Sequence, residues 1–72
     1  MGSIIDRIIE EAPKMGDFTT RQMAFRIFGE LNDANIARVG EKLRRIANQG
    51  YVVRVAMVRM GYAQKQAIWR SV

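Results

Sequence analysis

Hydrophobic residues recur every three to four positions in three stretches of the chain, and near the C-terminus they alternate with polar residues. A period of 3.6 is typical of helices with one buried face, and a period of two is typical of strands. The pattern therefore predicts three helices followed by a β-hairpin. One further stub of strand is expected at 17–19, between the first two helices.

The first predicted helix lies at the N-terminal end of the chain. Ser3 is a suitable N-cap, because its hydroxyl can accept a hydrogen bond from a free backbone N–H. Pro13 disfavours helical geometry at the residue before it, so we expect the helix to end near Ala12 and 14–16 to form a loop. Its apolar face consists of Ile4, Ile5, Ile8, Ile9 and Ala12.

The second predicted helix runs from Thr20 to about Phe28. Thr19 and the residue three positions later match a capping box, and Gly29 is a natural stop. Phe25 lies off the main apolar stripe and is expected at the rim of the core; the alternative is an exposed contact. The apolar face consists of Met23, Ala24, Ile27 and Phe28.

The third predicted helix spans 33–49, with Asn32 as its N-cap and Gly50 as a left-handed stop. Gly40 lies in its middle, where the missing side chain is expected to let the second and third helices cross closely; the alternative is a tolerated flaw at the surface. The buried stripe is predicted to be Ile36, Val39, Leu43, Ile46 and Ala47. The opposite face is predicted to be Ala34, Arg38, Glu41, Arg45 and Asn48, flanked by Ala37, Lys42 and Gln49.

The alternating segment after Gly50 predicts the first strand of a hairpin, with a turn at 61–64 and a return strand at 67–72. Trp69 and its neighbour Ile68 then lie on opposite faces. Strict alternation leaves one hairpin face apolar and uncovered, which favours a homodimer or another protein partner there, unless the first helix covers it. The residues predicted on that face are Val52, Val58, Met60 and Ile68.

Composition narrows the possible classes of protein. Seventy-two residues make a single small domain, 1–72, and 49% hydrophobic residues are enough for a core. The chain has no cysteine and no histidine, so we expect no disulfide, no metal site and no bound cofactor. A catalytic nucleophile would lack its usual base, and we do not expect an enzyme. No apolar run approaches the ~20 residues of a membrane span, so a cytoplasmic protein is expected.

The net charge of +5 is concentrated in the C-terminal half. Residues 1–33 carry four basic and six acidic side chains, a net charge of −2, whereas 34–72 carry eight basic residues and one acid, a net charge of +7. Such an asymmetry favours a polyanionic partner for the C-terminal half. Solubility alone would not require the charge to gather there.

Two stretches carry a resemblance to a known superfamily. The segment from Leu43 to Val52, LRRIANQGYV, and the segment from Phe18 to Ala24, FTTRQMA, are similar to the helix-to-wing junction and the start of the second helix in winged helix-turn-helix DNA-binding domains. The order helix, stub strand, helix, turn, helix and hairpin also resembles that superfamily over essentially the whole chain. The resemblance implies an α+β winged-helix fold, with Trp69 as a core aromatic of the last strand.

The resemblance also implies a DNA-binding surface. The third helix would enter the major groove, the start of the second helix would meet phosphates, and the wing would contact the backbone or the minor groove. The residues implied are Ala37, Arg38, Glu41, Lys42 and Arg45 on the third helix, Thr20, Arg21 and Gln22 on the second, and Arg59, Gln64 and Lys65 on the wing.

Two functions follow as hypotheses. The first is a small sequence-specific binder of double-stranded DNA, a transcriptional regulator or accessory factor. The second is a protein-interaction module on the same scaffold that uses the apolar hairpin face, since one fold serves many functions. Double-stranded RNA is disfavoured, because its narrow major groove would not admit the third helix.

Overall fold

The computed structural model describes residues 3–60 and 64–72, with the side chains of 3–58 and 66–72. These residues form an α+β domain with three helices and a three-stranded antiparallel sheet. The order of elements is the one that the hydrophobic pattern predicts. In chain order they are α1 (Ile4–Met15), β1 (Phe18–Thr19), α2 (Thr20–Phe28), α3 (Asp33–Asn48), β2 (Val52–Met60) and β3 (Gln64–Ser71).

Helix α1 begins at its predicted cap but ends later than predicted. Ser3 Oγ accepts a hydrogen bond from the Asp6 N–H, and the Asp6 carboxylate accepts one from the Ser3 N–H, each at 3.2 Å. The predicted end near Ala12 is wrong, because the helix continues through Pro13 to Met15. The proline lies in the last turn, where its missing N–H removes a single hydrogen bond and the packing of buried neighbours keeps the helix intact.

Helix α2 begins and ends at the predicted residues. Thr19 Oγ1 accepts a hydrogen bond from the Gln22 N–H at 3.0 Å, and Gln22 Oε1 accepts one from the Thr19 N–H at 2.8 Å. At the other end Gly29 adopts a left-handed conformation with φ of +73°, and its N–H bonds to the Phe25 carbonyl. Phe25 itself is 56% exposed, so its expected place at the core rim is wrong and the alternative of an exposed position is correct.

Helix α3 ends within one residue of the prediction. Asn32 Oδ1 caps its start by accepting a hydrogen bond from the Asn35 N–H at 2.9 Å. At its end Gly50 has φ of +90°, its N–H bonds to the Ala47 carbonyl, and the next N–H, of Tyr51, bonds to the carbonyl five residues earlier. This pair of bonds is the glycine-dependent stop that turns the chain out of a helix.

Gly40 faces α2, but its missing side chain is not what allows the two helices to approach each other. A Cβ at this position would lie 3.5 Å from Thr20 Cγ2, an ordinary van der Waals distance. The two helices therefore meet here without requiring a missing side chain. The prediction that the crossing depends on glycine is wrong. The alternative, a tolerated flaw at the surface, is correct only in that a side chain would fit, because Gly40 is half-buried against α2.

The sheet has the strand order β1-β3-β2, so β2 is an edge strand. Phe18 of β1 pairs with Trp69 of β3, and both side chains are buried. Between β2 and β3 the register shifts: Arg54 pairs with Trp69 and Ala56 pairs with Ile68, which leaves one extra residue on β2. This extra residue is a β-bulge, and it reverses the alternation of faces along the rest of the strand.

Because of the bulge, the residues of β2 do not all lie on the hairpin faces predicted for them. Val52 is only 2% exposed and belongs to the core, so its predicted place on the uncovered face is wrong. Val58 and Ile68 lie on the same face of the hairpin, as predicted, and that face is opposite the one that carries Trp69. Both side chains are half-buried. The side chain of Met60 lies outside the described residues.

All six elements contribute to one core. Helix α1 packs on the same side as Trp69, so it does not cover the opposite face of the hairpin, on which Val53 is 45% exposed. Beyond its first residue β2 leaves the core, and 53–57 are exposed. The core consists of Ile8, Ala12, Phe18, Met23, Ala24, Val39, Leu43, Ile46, Val52 and Trp69.

Candidate nucleic-acid interface

One side of α3 packs on the core and the other side faces solvent over the whole length of the helix. Its predicted buried residues Val39, Leu43 and Ile46 are fully buried. Because the opposite residues recur at the same helical spacing, they form a continuous exposed strip, which we call the outward face. The outward face consists of Ala34, Ala37, Arg38, Glu41, Arg44, Arg45 and Asn48.

The predicted site residues of α3 largely share this face. Ala37, Arg38, Glu41 and Arg45 are exposed on it, whereas Lys42 is half-buried at its flank. The small alanine side chains lie in the N-terminal half of the helix, so the helix backbone can approach a flat or grooved partner closely there. The cations lie in the middle and C-terminal parts.

Arg44 belongs to this surface although it is not among the predicted site residues. It is exposed, and it lies seven residues after Ala37, which is nearly two helical turns along the same side. That spacing was the signal available in the sequence. Among the described residues no carboxylate oxygen lies within 4.0 Å of Arg44 or of Arg38.

The single acid of the outward face is held loosely. Glu41 Oε1 lies 4.0 Å from Lys42 Nζ and 3.9 Å from Arg45 Nη2. These distances exceed the 2.7–2.9 Å of a charge-assisted hydrogen bond. Exposed pairs at this distance contribute little to stability, so the cations remain free to take other partners.

The start of α2 lies beside α3, because Gly40 of α3 faces Thr20. The capping box occupies the Gln22 side chain, and Thr20 Oγ1 accepts a hydrogen bond from Trp69 Nε1 at 3.0 Å. Two of the three side chains predicted to meet phosphates are therefore already bound within the protein. Arg21 remains exposed, and the N–H groups of Thr20 and Arg21 are not used by the capping box.

The hairpin supplies two described cations: Arg54, which is exposed on β2, and Arg70, which is exposed on β3 and bound to Asp17. The predicted wing residues Arg59, Gln64 and Lys65 belong to the strands by backbone pairing. Their side chains lie outside the described residues, so their predicted contacts stay predictions.

Away from this surface, cations are paired more tightly. Glu11 accepts hydrogen bonds from Arg26 Nε at 2.6 Å and from Lys14 Nζ at 3.1 Å, and those bonds, the Arg26 bond first, lower the pKa of its carboxyl. Asp17 accepts two bonds from Arg70, at 2.6 and 2.9 Å, and this fork lowers the pKa of Asp17 and raises that of Arg70. Five described cations have no carboxylate oxygen within 4.0 Å. Arg38 and Arg44 lie on α3 and Arg21 at the start of α2, whereas Arg54 lies on β2 and Arg7, which donates a hydrogen bond to the Ile27 carbonyl, lies on α1.

A second surface feature is an open groove of about 910 Å³ beside α2. Phe25 and Leu31, both substantially exposed, lie in it. The apolar residues are surrounded by polar and charged ones, which are Lys14, Asp17, Thr19, Arg21, Gln22, Arg26 and Gln66. The groove adjoins the start of α2 through Arg21 and is separate from the outward face.

No family model, curated protein or solved structure matches this chain. None of the helices in the described part of the chain has the length and apolar character needed to cross a bilayer. The case for a function therefore depends on the geometry and charge of the surfaces described above.

Proposed function

We propose that this protein is a small winged-helix protein that binds double-stranded DNA, as a cytoplasmic transcriptional regulator or accessory factor. In this proposal α3 lies in the major groove, the start of α2 lies against the phosphate backbone, and the hairpin acts as the wing. The observation that carries the proposal is the outward face of α3, where no carboxylate oxygen of the described residues lies within 4.0 Å of Arg38 or Arg44. Cations that no internal partner neutralises are the ones able to replace counterions on a polyanion.

The arrangement of three helices and the strand order β1-β3-β2 also support the proposal, since this layout is compatible with a winged helix. A helix exposed along its whole length fits the ~12 Å width of the major groove. In this proposal Arg38 pairs with the O6 and N7 edge of guanine, and the Ala34 and Ala37 methyl groups contact thymine methyls. Arg21 and the N–H groups at the start of α2 that the capping box does not use would hold a phosphate.

The test is the affinity for duplex DNA as a function of salt. Fluorescence anisotropy with a mixed-sequence duplex should give an affinity that falls steeply as salt rises, with a slope that reports the number of phosphates contacted. On a duplex that carries the preferred sequence, Arg38→Ala should weaken binding by roughly 5- to 150-fold, the range expected for a lost base contact. Absence of binding at low salt would overturn the proposal.

A matched control separates a specific contact from a general loss of charge. Lys14→Ala removes one positive charge from α1, and the Lys14 side chain is 55% exposed. We expect this variant to bind within about twofold of the wild type, because the lost charge lies on α1, outside the outward face, and is already paired with Glu11. Equal losses for Lys14→Ala and Arg38→Ala would indicate attraction by net charge alone.

A second candidate function is a protein-interaction module that uses the hairpin. The observation that favours it is the edge strand β2, on which Val53, Val55 and Met57 are all 38–49% exposed. Exposed apolar edge strands are sites where another chain can pair. Analytical ultracentrifugation over a range of concentrations would detect self-association, and Val53→Thr with Met57→Thr should abolish it if the hairpin is the contact.

A further inference from the structure

Glu41 occupies the centre of a surface that is otherwise cationic or neutral. It is the one acid among the seven residues of the outward face, and its side chain is 62% exposed. Arg38 precedes it by three residues and Arg45 follows it by four, so cations lie on both sides of it along the helix. A surface that served only to attract phosphates would gain affinity from a neutral or basic residue at this position.

Glu41 lies farther from its neighbouring cations than the other ion-paired acids of the described residues do from theirs. Glu11 and Asp17 accept hydrogen bonds at 2.6–3.1 Å, and those bonds lower the pKa of each carboxyl. Glu41 comes no closer than 3.9 Å to a cation and forms no side-chain hydrogen bond within the described part of the chain. Its carboxylate therefore keeps its acceptor sites for a partner outside the protein.

We propose that Glu41 determines the base preference of this protein by accepting a hydrogen bond from the exocyclic amine of cytosine in the major groove. This inference rests on the proposed DNA-binding function. Cytosine presents an N4 amino donor in that groove, and a carboxylate is its matching acceptor. On a sequence without that donor, Glu41 faces acceptor edges and phosphates, is desolvated without a partner, and lowers the affinity.

The experiment starts by selecting bound sequences from a randomised duplex library with the wild-type protein and with Glu41→Gln. The wild type should select cytosine at one position, and substitution of that base should lower its affinity about tenfold. Glu41→Gln should change the preference at the same position from cytosine to adenine, because a glutamine amide pairs with the N6 and N7 edge of adenine. It should also bind unrelated duplexes more tightly than the wild type does.

Glu10→Gln is the matched control, since Glu10 is exposed on α1 and its substitution changes the net charge by the same amount. Its preferred sequence should equal that of the wild type. Thermal unfolding of each variant, followed by circular dichroism, verifies that all are folded. The inference is overturned if Glu41→Gln selects the same sequence as the wild type, or if it raises all affinities only as much as Glu10→Gln does.

Failure of the proposed function gives a different result. If the wild type binds no duplex at low salt, both the function and the role of Glu41 are overturned. If the wild type selects a sequence that does not change in Glu41→Gln, DNA binding stands and only the role of Glu41 is overturned.

Discussion

Helix α3 and strand β2 both alternate apolar and polar residues, yet the faces of the helix could be predicted and those of the strand could not. In α3 the buried residues are the predicted ones, and the opposite residues are exposed. In β2 the buried residue, Val52, was predicted to be uncovered. The two elements are adjacent in the chain, so the difference lies in their geometry.

A one-residue irregularity changes the assignment of side chains to faces less in a helix than in a strand. Its faces repeat about every 3.6 residues and its buried face is wide, so a shift of one residue turns a side chain by about 100°. A strand has only two faces, and one extra residue moves every later side chain to the other one. The bulge between Arg54 and Ala56 does this in β2.

The strongest test of this comparison places the same charge on neighbouring residues of β2. Val52→Asp should unfold the domain or lower its free energy of unfolding by several kcal/mol, because an unpaired carboxylate would be buried in the core. Val53→Asp should change it by about 0.5 kcal/mol or less, because that side chain is 45% exposed. Urea denaturation followed by circular dichroism measures both. The reverse order of effects would contradict the assignment of faces.

A second test concerns the hydrogen bond that joins the hairpin to α2. Thr20→Val keeps the shape of the side chain but leaves the Trp69 indole N–H without its acceptor, which is 3.0 Å away in the wild type. We expect the free energy of unfolding to fall by about 1–3 kcal/mol, the range for an unsatisfied buried donor. Trp69 is the single tryptophan, so its fluorescence reports the change directly.

Thr20→Ser is the control for that bond. It keeps a hydroxyl acceptor and should restore most of the stability and the wild-type emission of Trp69. If serine destabilises as much as valine, the methyl group of Thr20 rather than the hydrogen bond is the important feature.

The features that the sequence predicted are local in the chain. The caps by Thr19 and Asn32 each involve residues within three positions, and the stop at Gly50 needs only its own backbone conformation. The features that it did not predict join distant residues: Thr20 with Trp69, 49 positions apart, and Asp17 with Arg70, 53 apart. No periodicity encodes such pairs.

The candidate site also has features that local sequence predicts and features that depend on contacts between distant residues. Its α3 residues follow from helical spacing, including Arg44, which the same spacing could have supplied. The occupied side chains of Thr20 and Gln22 could be only partly foreseen, because the capping box is a local motif whereas the bond from the Trp69 indole requires the packed hairpin. The exposure of Phe25 likewise depends on which elements lie opposite it, and spacing along α2 does not contain that information.

A smaller effect is expected inside α3, where Gly40→Ala tests the packing against α2. A Cβ would lie at ordinary contact distance from Thr20, and alanine is favoured over glycine within a helix by about 1 kcal/mol. The variant should therefore be more stable by up to about 1 kcal/mol in urea denaturation. A loss of stability would indicate that the helices approach more closely than the geometry shows and would restore the predicted role of the glycine.

The smallest effect is expected at the ion pair that ties β3 to the residue before β1. The hydrogen bonds from Arg70 hold the pKa of Asp17 below its ordinary value of 3.8, so the stabilisation is present above that value and is lost as the pH falls through the lowered pKa of the folded state. Asp17→Asn should thus have a slightly lower Tm than the wild type at pH 7, with the two values converging as the pH falls below about 4. Because the pair is exposed, the difference at pH 7 should also shrink in 1 M salt. A Tm difference that stays constant from pH 7 to pH 2 would show that Asp17 acts through packing and not through its charge. The attachment of the hairpin would then depend on the Trp69–Thr20 hydrogen bond and on the core.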